Sequence, residues 1–121
     1  MTIDWNYLFA SFDGRIGRRD FWIGAGLLLA ANLVGHGLIA VLFGSGAIGS
    51  ALSFLYGVAL MFPGFAVLAK RFHDRGKSGW WGLIAFVPLI GLIWIVVDCG
   101  VLEGDPGPNQ YGPQPRPALA G

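Results

Sequence analysis

An all-helical membrane protein is the fold this sequence predicts: three spans, preceded by a short amphipathic helix lying in the membrane interface. Three observations carry that expectation. The composition is too poor in charge to cover a soluble fold, three charge-free stretches reach membrane length, and the basic residues fall almost wholly in two places. Hydrophobic residues make up 55% of the 121-residue chain and charged residues only 12%, against roughly 25% in soluble domains. A chain of this length forms one domain, and its 20 glycines suit close helix packing in lipid.

No charged residue occurs from Phe21 to Phe43, from Gly44 to Ala69, or from Ser78 to Val97. Crossing about 30 Å of hydrocarbon at about 1.5 Å per residue takes roughly 20 apolar residues. The spans are therefore placed at 21–42, 48–69 and 80–97, with Gly44-Ser45-Gly46 as the break between the first two. Backbone amides in lipid must be paired internally, which admits helices or a closed barrel. Barrel strands alternate apolar with polar residues, and Gly26-Leu27-Leu28-Leu29-Ala30-Ala31 does not. The first stretch is too long, and begins too far along the chain, for a cleaved signal peptide. Pro88 and Gly91 interrupt the third stretch. A kinked single span is expected there. A re-entrant pair of half-helices stays open as the alternative and would return the tail to the side of the basic loop.

Before the first span, Trp5, Leu8, Phe9 and Phe12 recur at helical spacing and form one apolar stripe. An interfacial helix is expected over 3–13, ended by Gly14. Trp5, Trp22, Trp80 and Trp81 are expected to anchor segments at the headgroup level. Arg15, Arg18 and Arg19 precede the first span, and Lys70, Arg71, Arg75 and Lys77 lie in the loop 70–79, whereas the first connection carries no charge. The positive-inside rule then makes the amino terminus and the basic loop cytoplasmic. With three spans, the extended Pro/Gly tail 103–121 emerges on the other side.

The basic loop is the densest polar feature. It serves as a topology determinant in any case, and cytoplasmic-leaflet attraction of about 1 kcal/mol per nearby Lys or Arg gives it a second use. A cytoplasmic face built from Arg15, Arg18 and Arg19 with Arg71, His73, Asp74, Arg75 and Lys77 is expected to engage anionic lipid or a partner protein. One His beside one Asp falls short of a metal site. No metal or cofactor is expected, and no enzyme, because no nucleophile–base pair is visible. A net charge of +1 gives no reason to expect nucleic acid, and the single Cys99 excludes an internal disulfide. Asn32 and His36 share a face of the first span and are expected to hydrogen-bond between helices. The alternative is a small transporter or channel subunit assembled around them by oligomerisation. Ser45, Gly49, Ser53 and Gly57 recur every four residues and mark a packing face, toward another span or a second copy.

Three segments together resemble the DUF805 family of small bacterial inner-membrane proteins. They are Phe12-Asp13-Gly14-Arg15-Ile16-Gly17-Arg18-Arg19-Asp20-Phe21-Trp22, Arg71-Phe72-His73-Asp74-Arg75-Gly76-Lys77-Ser78-Gly79-Trp80-Trp81, and the tail Gly104-Asp105-Pro106-Gly107-Pro108-Asn109-Gln110-Tyr111-Gly112-Pro113-Gln114-Pro115. Phe72 stands where the family pattern has leucine, and Gln110 and Gln114 where it more often has Arg and Asp. The resemblance implies a bacterial cytoplasmic membrane and no established activity. It also implies that the polar motifs before the first helix and after the second form one patch.

Overall fold

The computed structural model describes residues 5–113, and they are mostly helical. The expected start of the interfacial helix at residue 3 and the tail beyond residue 113, Gln114 included, lie outside the described residues. A short helix α1, Trp5–Ala10, leads through a turn at Gly14, whose φ of 93° favours glycine, into α2, Arg18–Phe43. Gly44, with φ 74°, reverses the chain into α3, Ala47–Asp74. Helices α2 and α3 contain 26 and 28 residues and are apolar and long enough to cross a membrane. They face one another, and their outward side chains are open: Leu33, Val41, Ile48 and Leu55 are all more than 60% exposed. In hydrocarbon that exposure costs nothing, and in water it would form a large sticky surface.

The α2–α3 seam is held by shape and by polar contacts. Tyr56 lies against Gly35, where a Cβ would overlap its ring, and its hydroxyl donates to the Ala31 carbonyl at 2.6 Å. His36 Nδ1 and Ser53 Oγ share a hydrogen bond of 2.6 Å, with the His36 and Tyr56 rings edge to face. Gly57 faces the His36 ring. Asn32 turns back on its own helix and donates to the Leu28 carbonyl rather than across to α3. Gly49 abuts the Gly44 carbonyl inside the connection, and Ser45 belongs to that connection.

Helix α3 runs past the apolar span and carries Lys70, Arg71 and Asp74, so much of the expected loop 70–79 is helix. It ends where Gly76, with φ 77°, lets the Lys77 N–H reach the Phe72 carbonyl and the Gly76 N–H reach the His73 carbonyl. Ser78 then caps a 3-10 helix, Gly79–Phe86, by accepting from the Trp80 N–H.

The third stretch differs from the single span expected over 80–97. The 3-10 helix stops at a turn in which Leu89 adopts φ 64°, and α4, Ile90–Ile95, runs back and continues as a π-turn, Val96–Val101. A straight helix would separate Lys77 from Asp98 by about 30 Å, yet their side chains form an ion pair. Trp81 and Trp94 stack at 5.7 Å between the two limbs. The stretch is therefore a hairpin whose two ends meet, and the tail leaves at the same end as the basic residues.

The cause of the hairpin is a row of small residues. A 3-10 helix has three residues per turn, so positions three apart share a face. Gly79 sits on Ala69 and His73, and Gly82 on Phe65 and Leu68, which brings this limb close along α3. Ala85, next in that row, meets Gly91, where a Cβ would overlap the Ile84 carbonyl. Pro88 has no N–H to donate and crowds the preceding turn, which favours the break here although α3 continues through Pro63. Phe86 lies beside Phe65, about 14 Å along α3 from Asp74, so the hairpin turn stops well short of the far end of the α2–α3 pair.

Candidate functional site

The inner core and the charged residues lie at the same end of the helix pair. Leu8, Ile16, Phe21, Val67, Phe72 and Cys99 form the buried apolar cluster. Around it Arg15, Lys70, Arg71, Asp74 and Asp98 are each less than 5% exposed. Buried charge survives only when paired and hydrogen-bonded, and the last turns of α3 send each charged side chain to a different segment.

Lys70 points toward α1. Its ammonium donates to the carbonyls of Tyr7, Leu8 and Ser11, the last two at 2.8 and 2.6 Å, and lies 4.8 Å from the centre of the Tyr7 ring. These carbonyls are the unpaired acceptors at the carboxyl end of α1, where a cation is favourable. Helix α1 is thereby docked on α3 through Leu8 and Lys70.

Asp74 is shared by two arginines. Its Oδ1 accepts from Arg15 Nε at 3.0 Å and lies 2.9 Å from Arg15 Nη2, and its Oδ2 pairs with Arg71. Both guanidinium groups spend their other donors on backbone. Arg15 donates to the carbonyls of Asp105, Gly107 and Gly112 at 2.6, 2.7 and 3.1 Å. Arg71 donates to the carbonyls of Cys99 and Leu102, both at 2.6 Å. One carboxylate thus ties α3 to the segment before α2, to the hairpin's return and to the tail.

A second centre is built on Asp98. It accepts from Arg75 Nε at 2.7 Å, from Lys77, and from Trp94 Nε1 at 3.2 Å. Burial alone would raise the Asp98 carboxyl, but hydrogen bonds and charge from Lys77 and Arg75 reverse that and hold it below the usual carboxylate range. Lys77 also lies over the Trp81 and Trp94 rings, 5.2 and 5.5 Å from their centres.

The tail folds over this end. The Asp105 N–H donates to the Asp74 carbonyl at 2.6 Å, and Asn109 donates to the His73 carbonyl at 2.9 Å. The Tyr111 ring stacks on His73 at 4.0 Å. His73 in turn donates from Nδ1 to the Gly14 carbonyl at 2.9 Å. Trp22 donates to the Gly100 carbonyl at 2.8 Å, and Arg18 to the Val101 carbonyl at 2.9 Å.

Of the residues expected to form an exposed cationic face, Arg15, Arg71 and Asp74 are inside the protein, and His73, Arg75 and Lys77 are partly covered. Arg18 and Arg19 are exposed. The eight positions gather at one end, but the innermost of them brace segments together instead of facing outward. Lys70, Asp105, Asn109 and Tyr111 join the centre, although the sequence reading counted Lys70 only among the basic-loop cations and the other three only in the tail motif. A helical register extended past Ala69 puts Lys70 and Asp74 one turn apart, and that signal was available. The carbonyl partners have no signature in sequence. Cys99 is fully buried, which pushes its thiol up to about 12 and keeps it protonated at neutral pH. Among the described residues no group of His, Cys, Asp and Glu is placed to hold a metal ion.

Two apolar grooves flank the hairpin. The larger, about 660 Å³, lies between α3 and the 3-10 limb and is lined by Met61, Phe62, Phe65, Leu83 and others, with His73 and Ser78 at its polar end. The second, about 410 Å³, runs along α4 beneath Arg75 and Lys77.

Residues 9–113 match the family described as "Protein of unknown function (DUF805)". The chain is 36% identical to "Uncharacterized protein YiiR" of Escherichia coli (strain K12), over 93% of this chain and 89% of that protein. It is 34% identical to "Inner membrane protein YhaH" of the same organism, over 89% of each chain. It is 35% identical to "Inner membrane protein YhaI", over 89% of this chain and 88% of that one. No solved structure matches the chain.

Proposed function

We propose, since this chain belongs to the DUF805 family of membrane proteins, that it lies in the bacterial cytoplasmic membrane and engages anionic lipid through its braced end. The observation that carries the reading is the placement of every Lys and Arg of the described residues at one end of the α2–α3 pair. The Gly44–Gly46 connection has no charge. At the other end stand Arg15, Arg18, Arg19, Lys70, Arg71, Arg75 and Lys77, in company with the carboxylates of Asp13, Asp20, Asp74, Asp98, Glu103 and Asp105, so the asymmetry is one of basic residues rather than of net charge. The positive-inside rule assigns this end to the cytoplasm, where the anionic leaflet contributes about 1 kcal/mol per nearby Lys or Arg. Arg15 and Arg71 act at a distance through their field, whereas Arg18, Arg19, Arg75 and Lys77 are within reach of headgroups. In this reading the protein binds rather than catalyses and needs no cofactor.

A reporter fused to the carboxyl terminus is expected to read cytoplasmic, because the hairpin returns the tail to the basic end. A reporter active only outside the membrane would sink that orientation. Native mass spectra of the purified protein are expected to show more retained phosphatidylglycerol than phosphatidylcholine when both are supplied equally. Equal retention would end the lipid reading.

A second reading is supported by the hairpin tip. Phe86, Leu89 and Leu92 are more than half exposed, and among the described residues the Leu89 N–H has no acceptor. Irregular backbone at membrane depth is tolerated only when covered by protein or by a water-filled cavity. A second copy of this chain would supply the cover, as in a channel or transporter subunit. The same spectra count copies, and monomers alone in mild detergent would count against it.

A further inference from the structure

We infer that the groove along α4 seats one anionic phospholipid per chain, with its phosphodiester between Arg75 and Lys77 and an acyl chain along Ile90, Ile93 and Val97. The inference rests on the lipid reading above and narrows it to a site. The groove's volume of about 410 Å³ lies within the range of ligand sites, and its order of polarity is that of a lipid in a leaflet. Arg75 and Lys77 stand at the membrane surface end, Trp94 and Asp98 follow, and Ile93 and Ile90 lie deeper toward the hairpin turn.

Charge decides the class of headgroup. Two cations share a single carboxylate, Asp98, and both remain about a quarter exposed at their side chains. The Nη2 amino group of Arg75 has no acceptor among the described residues, since Nε serves Asp98 and Nη1 serves the Glu103 carbonyl. Lys77 is held in place over two indole rings, which orient an ammonium without neutralising it. The neighbouring Glu103 carboxylate is turned to Arg18, so a single negative charge balances the mouth, and a guanidinium with spare donors suits phosphate oxygens. A zwitterionic headgroup would bring its own ammonium against these two cations. The larger groove beside the 3-10 limb has no Arg or Lys in its lining and lacks this complementarity.

The test uses the full chain in lipid nanodiscs or mild detergent, with native mass spectrometry to count bound lipid. Wild type is expected to retain one phosphatidylglycerol per chain, with about tenfold preference over phosphatidylcholine. Ile93→Trp fills the chain path while leaving both cations in place, and is expected to lose that preference about tenfold. Leu33→Trp, on the outer face of α2, is expected to leave it unchanged. Arg75→Gln with Lys77→Gln is expected to abolish the preference. If that pair fails to fold, Ile93→Trp still decides. Inorganic phosphate at millimolar concentration is expected to displace nothing. Displacement by phosphate alone, or full retention by Ile93→Trp, overturns the site while leaving the general anionic preference standing. Loss of preference in wild type itself overturns both.

Discussion

Replacing Asp74 by asparagine is expected to destabilise the protein by about 3–5 kcal/mol, the usual cost of leaving buried charges without their counter-ion. Asp74 is 3% exposed and is the carboxylate partner of both Arg15 and Arg71. The asparagine side chain has nearly the same shape, yet it presents no charge and turns an amide donor toward guanidinium groups that are themselves donors. The two other carboxylates of the centre are engaged elsewhere: Asp98 with Arg75 and Lys77, and Asp105 with Asn109. The effect should appear as a lower unfolding temperature in detergent and as new protease cleavage within 104–113, because the tail is held through Arg15 and the Asp74 carbonyl. The α2–α3 seam around Tyr56 should survive. An unchanged unfolding temperature and an intact tail would show that backbone carbonyls alone satisfy the two arginines.

The second large effect concerns the hairpin. Joint replacement of Pro88 and Gly91 by leucine is expected to convert 78–97 from a hairpin into a span. Residues 78–97 are uncharged, and 20 of them are enough to cross. What prevents crossing is local. Proline removes a donor and disfavours a continuing helix, though α3 tolerates one at Pro63, and a side chain at 91 collides with the Ile84 carbonyl, which is backbone and has little freedom to yield. Removing the first obstacle to a helix and adding a clash to the hairpin push in one direction. A carboxyl-terminal reporter should then move to the opposite side of the membrane, and the near-ultraviolet signal of the stacked Trp81–Trp94 pair should be lost. Gly64→Ala is the control, since open space surrounds that position and the reporter should not move. Retention of the wild-type signal in the double variant would mean that the Asp98 ion pairs, not the turn, dictate the return.

The sequence made the two long helices legible because charge-free length is a local property. Helices α2 and α3 contain the expected spans 21–42 and 48–69 whole. It misled at the end of α3, where the charges of Lys70, Arg71 and Asp74 looked like a solvated loop. Those side chains point inward, so charge there does not end the helix, and Gly76 does. The hairpin was half legible. Pro88 and Gly91 announced the break, but the direction taken after it depended on Gly79, Gly82 and Ala85 lining up in one row, which a 3-10 helix does and an α-helix lets drift round its axis. A search for helical period four could not find a row of period three. The braced centre was legible as a gathering of charges and illegible as a network. Most acceptors for Arg15, Lys70 and Arg71 are backbone carbonyls, which every residue possesses. The direct carboxylate contacts join positions as much as 59 residues apart, and only the fold brings these together.

The reach of Arg15 has a consequence for how the molecule is made. Its carbonyl partners at Gly107 and Gly112 lie 92 and 97 residues downstream. At a synthesis rate of roughly 5–20 residues per second, the arginine waits on the order of ten seconds for them. Helices α2 and α3 are complete before that and are free to enter the membrane as a pair. The braced end closes only once 105–112 have been made, so a chain cut short before Asp105 leaves Arg15 beside Asp74 without its remaining acceptors.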